Sequence, residues 1–594
     1  MKAEAITPRV LREYALVADG ERGALIGPDG TVVWLCVPRW DSRAVFSGLH
    51  GGPGGYAVTP ADPWYVWGGH YEDGTLIWRS RWTGGDGVVE CREALSMPAE
   101  EHRAVLLRRI EAVDGPAKVE VTLDVRSGYG HRRMGDLNRE GGCWTGRSGA
   151  TRLRWQGASR ARRDGDGPLR TTITLGPGEH HDLVLELSDR DFGDTPPPDP
   201  DTAWQATEEA WSQVVPPCHD LIAVADARHA YAVLRGLTSA SGAMVAAATT
   251  SLPERMEGGR NYDYRYAWIR DQCYAGIALA AHGPHPLLFG NIQFITERIL
   301  SDSPDLMPAY TVAGRPIPDG APLRLRGFPG GNPQAGNLVR RQFQLDAPGE
   351  ILSLFAAAAR HDLLGERDWR AVAAAADLIE KRWRDPDAGI WELGDRRWAH
   401  SRLACAAGLR AIAAVASHGP PGSHGRREAS RWTALADRLL ASLDDCVHPS
   451  GRWQRAPDDD RVDAALLLPS IRGAMPIDDP RATATLEAVR DELGSDGYVY
   501  RFRHDARPLH EAEGAFLLCG FWMALAEHAR GNPVAAAHWF ERNRAACGPP
   551  SLYTEEYDVR QRQLRGNLPQ AFVHAALLEC AVTLSPDVSL GAAG

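Results

Sequence analysis

Residues 194–201 read DTPPPDPD, and the chain changes character across them. Four prolines in eight residues remove backbone donors and fix φ, so regular structure is expected to stop there. Upstream the apolar runs are short and several alternate: TVVWLCV (31–37), TLIWRSRW (75–82), GVVECREALS (87–96), AVLLRRIEAV (104–113), KVEVTLDV (118–125), TRLRWQG (151–157) and HHDLVLEL (180–187). Gly, Asp and Pro clusters divide them, which predicts an antiparallel β-sandwich. Downstream the period becomes helical, with patterns at 227–237, 266–282, 286–302, 348–364, 368–384, 400–416, 428–445, 510–529, 533–546 and 569–583. Segments such as ILSLFAAAARHDLL (351–364) and AVAAAADLIEKRW (371–383) carry small residues that let helices approach closely. Long loops rich in Gly, Trp, Asp and Arg separate them, which predicts a helical barrel or toroid and not a four-helix bundle. The expected division is a β-sandwich domain over 1–200, a linker over 201–225 and a helical domain over 226–594.

Composition agrees with two soluble cores. The chain has 594 residues, more than one ordinary core accommodates. Lys and Arg total 66 against 77 Asp and Glu, a net charge of -11 that argues against nucleic-acid or anionic-membrane partners. The N-terminal MKAEAITPRVLREYALVADG has no run of signal-peptide length, and nothing approaches the ~18 apolar residues of a membrane span. The ten cysteines, Cys36 to Cys580, form no CxxC and no ligand-like spacing with histidine. They read as reduced thiols, and a cytoplasmic location is expected. EHH at 179–181 reads as surface, so no metal and no cofactor is expected. The 19 tryptophans both fill cores and stack on sugar faces.

Four segments concentrate chemistry. RNYDYRYAWIRD (260–271) packs four aromatics with three arginines and two aspartates. A helix starting near Tyr266 would place Arg270 and Asp271 one turn in, as a hydrogen-bonding fork suited to adjacent hydroxyls. Tyr264 and Trp268, four apart, would then share a face. A structural Arg–Asp network holding a loop is the competing reading. In DAGIWELGD (387–395), Glu392 follows Trp391. A carboxyl against an indole is poorly solvated, which favours the protonated acid, although alone the segment reads as a surface Glu beside a core Trp. SLYTEEYDVRQRQLRGNLPQAF (551–572) holds Glu555 and Glu556, which on an extended chain point opposite ways; alone it reads as a solvated acidic loop. GYVYRFRHDARPLHEAEGAFLLCGFW (497–522) gathers Arg501, Arg503, Glu511 and Glu513. GFPGGNP (327–333) lacks the Lys-Ser/Thr of a phosphate loop and reads as a loop near a site.

Together these segments resemble glycoside hydrolase family 15, the glucoamylases and microbial trehalases. The resemblance runs through residues 11–42, ATTSLPE (248–254), RNYDYRYAWIRD, GN (336–337), QLDAPGE (344–350), GIWE (389–392), EGAFLLCGFW (513–522), TEEYD (554–558) and GNLPQAF (566–572). It implies a β-sandwich followed by an (α/α)6 barrel, and inverting removal of a terminal α-glucosyl unit. By the same resemblance Glu392 is the general acid and Glu555 the general base. Tyr264 helps hold the water; Trp268, Arg270 and Asp271 line the terminal-sugar subsite; Arg501 binds sugar and Trp391 flanks the acid. An inverting pair is expected about 6.5–9.5 Å apart. The implied partner is a small carbohydrate, with trehalose the first expectation and malto- or isomalto-oligosaccharides the second. A phosphorylase would leave Glu555 without a role, whereas a non-hydrolytic or sugar-binding relative stays open, as does a homo-oligomer. Tyr262, Arg402 and Tyr553 depart from the family pattern, which would suit a narrowed pocket or an altered acceptor.

Overall fold

The short alternating runs close into two facing sheets. The computed structural model describes residues 7–163, 165–255, 259–418 and 424–586. Each sheet has eight strands, all antiparallel to their neighbours. One is built around Thr31–Cys36, Gly55–Pro60 and Ala117–Asp124; the other centres on His180–Ser188, Arg103–Asp114 and Gly87–Leu95. Val58, Val119 and Val121 from the first meet Trp78, Leu106 and Leu185 from the second in a shared apolar layer. This is the expected antiparallel sandwich.

Nine of the sandwich's sixteen strands escape the sequence reading, and two physical reasons account for four of them. Ala15–Ala18 and Gly23–Ile26 are buried throughout. Ala15, Val17, Ala24 and Ile26 face the sandwich core, while Leu16, Ala18 and Leu25 face the helical domain. A strand covered on both faces shows no alternation. Met134–Glu140 and Cys143–Ser148 fail in the opposite way, because the outer strand of that sheet is mostly exposed and polar.

The expected linker carries a helix. Pro200–Val214 begins inside the proline-rich stretch: the Asp199 side chain accepts from Thr202 N, and Pro200 occupies the first turn. Proline there costs no intrahelical bond, and Trp204, Thr207 and Trp211 bury one stripe. The same Asp-Pro device starts Pro480–Leu493, also unread in the sequence. In both places the prolines mark starts, not stops.

Six inner helical elements then close a ring. Ile269–His282, Asp346–Ala359, Ala399–Ser417, the short pair Ala464–Leu467 and Leu468–Ile471, Leu517–Ala529 and Ala571–Thr583 each pack on the next, and the last on the first. Val224–Leu237, Pro286–Asp302, Glu366–Arg382, His424–Ala441, Pro480–Leu493 and Pro533–Arg544 form the outer layer. Inner helices are buried nearly all round, as a doubly covered helix must be. Gly349 and Gly408 allow one close crossing: a Cβ on Gly408 would sit 2.1 Å from Gly349 O. The helix expected over 510–529 is broken. Glu513 is extended, and the Glu556 carboxylate accepts the Gly514 N–H at 2.9 Å.

Candidate active site

Residues 261–268 run largely extended after Arg260 at φ 53°, where the sequence suggested a helix from Tyr266. Carbonyls of Tyr262, Tyr264 and Tyr266 accept from Ser251, Ala247 and Ala246 N–H. An extended chain sends alternate side chains to opposite sides. Asp263 and Arg265 turn inward and are fully buried. Arg265 pairs with Asp263 and reaches the carbonyls of Trp40 and Ser42 and the Tyr129 hydroxyl. Tyr262 and Tyr264 turn the other way, stacked at 6.3 Å with their planes 8° apart, onto a cavity of about 290 Å³ at the end of the barrel.

Glu392 and Glu555 open onto that cavity. Trp268, at the N-cap of Ile269–His282, donates its indole N–H to Glu392 Oε1 at 2.7 Å. Arg270 donates to the Ile390 carbonyl at 2.9 Å and stands 3.6 Å from Glu392 Oε1. Glu392 itself has φ 55°, an uncommon backbone state for a side chain this large. The turn Ala388–Leu393 imposes it and thereby aims the carboxyl under Trp268.

Glu555 precedes the strand Glu556–Asp558 and is 8% exposed. Tyr264 Oη lies 3.1 Å from its Oε2. Burial raises its pKa to about 7, against the opposing pull of Arg501, the Tyr264 hydrogen bond and Arg270. Glu556 points away and accepts Gly514 N–H. Arg501 lines the cavity with its guanidinium on Glu513 at 2.7 Å, over the Phe516 ring.

Comparison with known proteins decides the family. Residues 227–582 match the profile of glycosyl hydrolases family 15. The chain belongs to that family. It is therefore a glycoside hydrolase. Residues 5–187 match a trehalase-like N-terminal domain. The family 15 chain is 32% identical to a trehalase of Mycobacterium tuberculosis, over 96% of this chain and 89% of that one. It is 30% identical to a trehalase of Mycolicibacterium smegmatis, over 96% and 91%. A bacterial glucoamylase solved with acarbose superposes with a TM-score of 0.67 at 14% identity, covering 99% of this chain and 97% of that one; the likeness shows the shared fold.

Several expected residues of this family 15 enzyme stand differently from the sequence reading. Trp268 is 1% exposed and does not line the cavity; its indole N–H is bonded to Glu392. Asp271 is likewise 1% exposed, behind Arg270 at 3.7 Å. Burial raises its carboxyl to about 7, with Arg270 opposing. Arg270, Trp391, Arg501 and Tyr264 do line the cavity. The indole touching Glu392 is that of Trp268, whereas Trp391 donates to Asp463 at 2.9 Å. Of the three departures, only Tyr262 reaches the site. Arg402 is buried against the Ser442 carbonyl and Cys446, and Tyr553 bonds the Arg544 carbonyl. Glu254, the last residue of ATTSLPE, also lines the cavity and is 4% exposed. A lone Glu after Pro carries no periodic signal; only its fold-back onto Tyr264 reveals it.

Among the described residues no His, Cys, Asp or Glu group is arranged to hold a metal. A larger open cleft of about 820 Å³ lies beside Pro200–Val214, but its arginines are paired, Arg92 with Glu72 and Glu208, and Arg228 with Asp73.

Proposed function

We propose that this enzyme cleaves α,α-trehalose by inversion, with Glu392 as general acid and Glu555 as general base. One observation carries the reading: two carboxyl groups share a cavity, each held by a different donor from the same extended segment, Trp268 on one and Tyr264 on the other. The trehalase-like N-terminal match and the mycobacterial relatives support the substrate.

In the proposed step, Glu392 gives its proton to the glycosidic oxygen as the C1–O bond breaks. Trp268 occupies Oε1, so the proton belongs on Oε2. Water attacks C1 from the opposite face, and Glu555 takes its proton. Such a pair needs about 6.5–9.5 Å between carboxyl groups to admit the water. Arg270 and Arg501 offer fixed donors to ring hydroxyls, Asp271 orients Arg270, and Trp391 forms a wall. A small cavity at the lower end of the ligand-pocket range suits a disaccharide. No helix of the described residues is long and apolar enough to cross a membrane. Ten free thiols, eight of them buried, support a reducing, cytoplasmic setting.

The test is glucose release from trehalose, maltose and isomaltose, with the first anomers followed by NMR. Inversion of trehalose yields one β- and one α-glucose per bond, since only one C1 reacts. E392Q and E555Q should each lose about 10²–10⁴-fold in kcat while unfolding normally. Two α-glucoses per bond would overturn inversion, and turnover of isomaltose or maltose without trehalose would move the substrate.

A further inference from the structure

Glu254 poses a problem of hydrogen counting. Tyr264 Oη lies 3.2 Å from Glu254 Oε1 and 3.1 Å from Glu555 Oε2. A phenol has one hydrogen. Two ionised carboxylates would leave one contact as oxygen facing oxygen, with two negative charges in a nearly dry space. One added proton satisfies both contacts. We propose that Glu254 carries this proton as a positioning residue: its acid O–H donates to Tyr264 Oη, which commits the phenolic hydrogen to Glu555 Oε2 and leaves Glu555 Oε1 to accept from water. The proposal rests on Glu555 being the base.

The surroundings favour this assignment over its mirror image. Arg260, the cation nearest Glu254 at 3.9 Å, is itself engaged by Glu513 at 3.0 Å. Glu254 also faces Glu555, Glu513 and Glu556, with Tyr262 and the more distant Arg501 completing the charged surround. Glu555 has both Arg501 and Arg270 favouring its ionised form. Burial first, then the Glu555 charge, hold Glu254 well above the usual carboxylate range.

The placement is built, not incidental. Gly566 N donates to the Pro253 carbonyl at 3.0 Å, and Asn567 Oδ1 accepts from Thr249 Oγ1 and Leu252 N. Gly566, at φ 88°, lies against both carboxylic side chains: a Cβ there would stand 3.6 Å from Glu254 Cγ and 3.9 Å from Glu555 Cβ. The loop after Glu555 thus clamps Glu254 beside it.

Two substitutions separate proton holding from mere packing. E254Q keeps a donor, as an amide N–H, where E254L has none. The expected result is a kcat loss of up to about 10-fold in E254L with KM moved little, since the neutral O–H···O bond that orients the Tyr264 hydroxyl is lost. E254Q should recover most of that loss. Infrared difference spectra at pH 7 should show a protonated-carboxyl C=O stretch in the wild type that E254Q lacks. E254Q no more active than E254L, E254L equal to wild type, or no carboxyl band lost in E254Q would each overturn the proposal. If E555Q stays active, the base assignment fails, and the infrared band still decides whether Glu254 holds a proton.

Discussion

Tyr264 shows how far a residue type can be read and where reading stops. An aromatic beside Arg and Asp suggested a ligand wall, and Tyr264 does line the cavity. Its hydroxyl, however, serves two carboxyl groups whose partners lie 10 and 291 positions away. Y264F removes a bond that lowers the pKa of Glu555. Without it the Glu555 carboxyl, already raised to about 7, rises further, so the base ionises only at higher pH. The acid limb of the kcat/KM profile should therefore move to higher pH, with kcat at pH 7 down about 10- to 100-fold. A limb that stays or moves to lower pH would contradict the arrangement. Trp268 and Asp271 were also chosen by type, and both are buried supports. Whether a side chain faces ligand or backs a neighbour depends on local backbone direction, which composition does not encode.

At the scale of elements, periodicity was a guide with exceptions: Thr31–Cys36 was legible though buried throughout, and Leu169–Leu175 was not though its burial alternates. Ala117–Asp124 alternates and was legible; Ala15–Ala18 is covered on both sides and was not. Helices with small residues were legible because closeness demands them. At the crossing of Asp346–Ala359 with Ala399–Ser417, a Cβ on Gly408 would lie 2.1 Å from backbone, with no flexible atom to yield. G408A should destabilise the protein by about 1–3 kcal/mol or more through overpacking, read as a lowered urea midpoint; an unchanged midpoint would mean the crossing has slack. The broken helix at 509–529 illustrates a tertiary override: Glu556 captures Gly514 N–H, and the extended Glu513 then meets Arg501.

Across the whole molecule, one face of the sandwich packs into the apolar core of the barrel, while its inner layer forms a core of its own. Trp34, Leu16 and Leu25 belong to the same cluster as the barrel helices. Arg265 pins the junction from within the site segment, fully buried with Asp263 and bonded to carbonyls of the sandwich. Such coupling predicts a single calorimetric unfolding transition for the full chain. R265M strands the Asp263 charge and should cost about 3–5 kcal/mol, lowering that transition; two resolved transitions in the wild type would show the units to be independent.

The chain by itself determined the order of architectures, the family and the residues where charge and aromatics gather. Those follow from period, punctuation and ordered motifs, which are local or linear properties. RNYDYRYAWIRD was legible as a site, but its helix begins at Ile269 and not near Tyr266, because pairing with residues 246–251 holds the preceding residues extended. Only the tertiary structure decided which of its rings meet the cavity, that Trp268 holds Glu392, and that Glu254 joins Tyr264 and Glu555. Those facts depend on segments hundreds of residues apart being brought within hydrogen-bond reach, and on burial that removes water as the alternative partner.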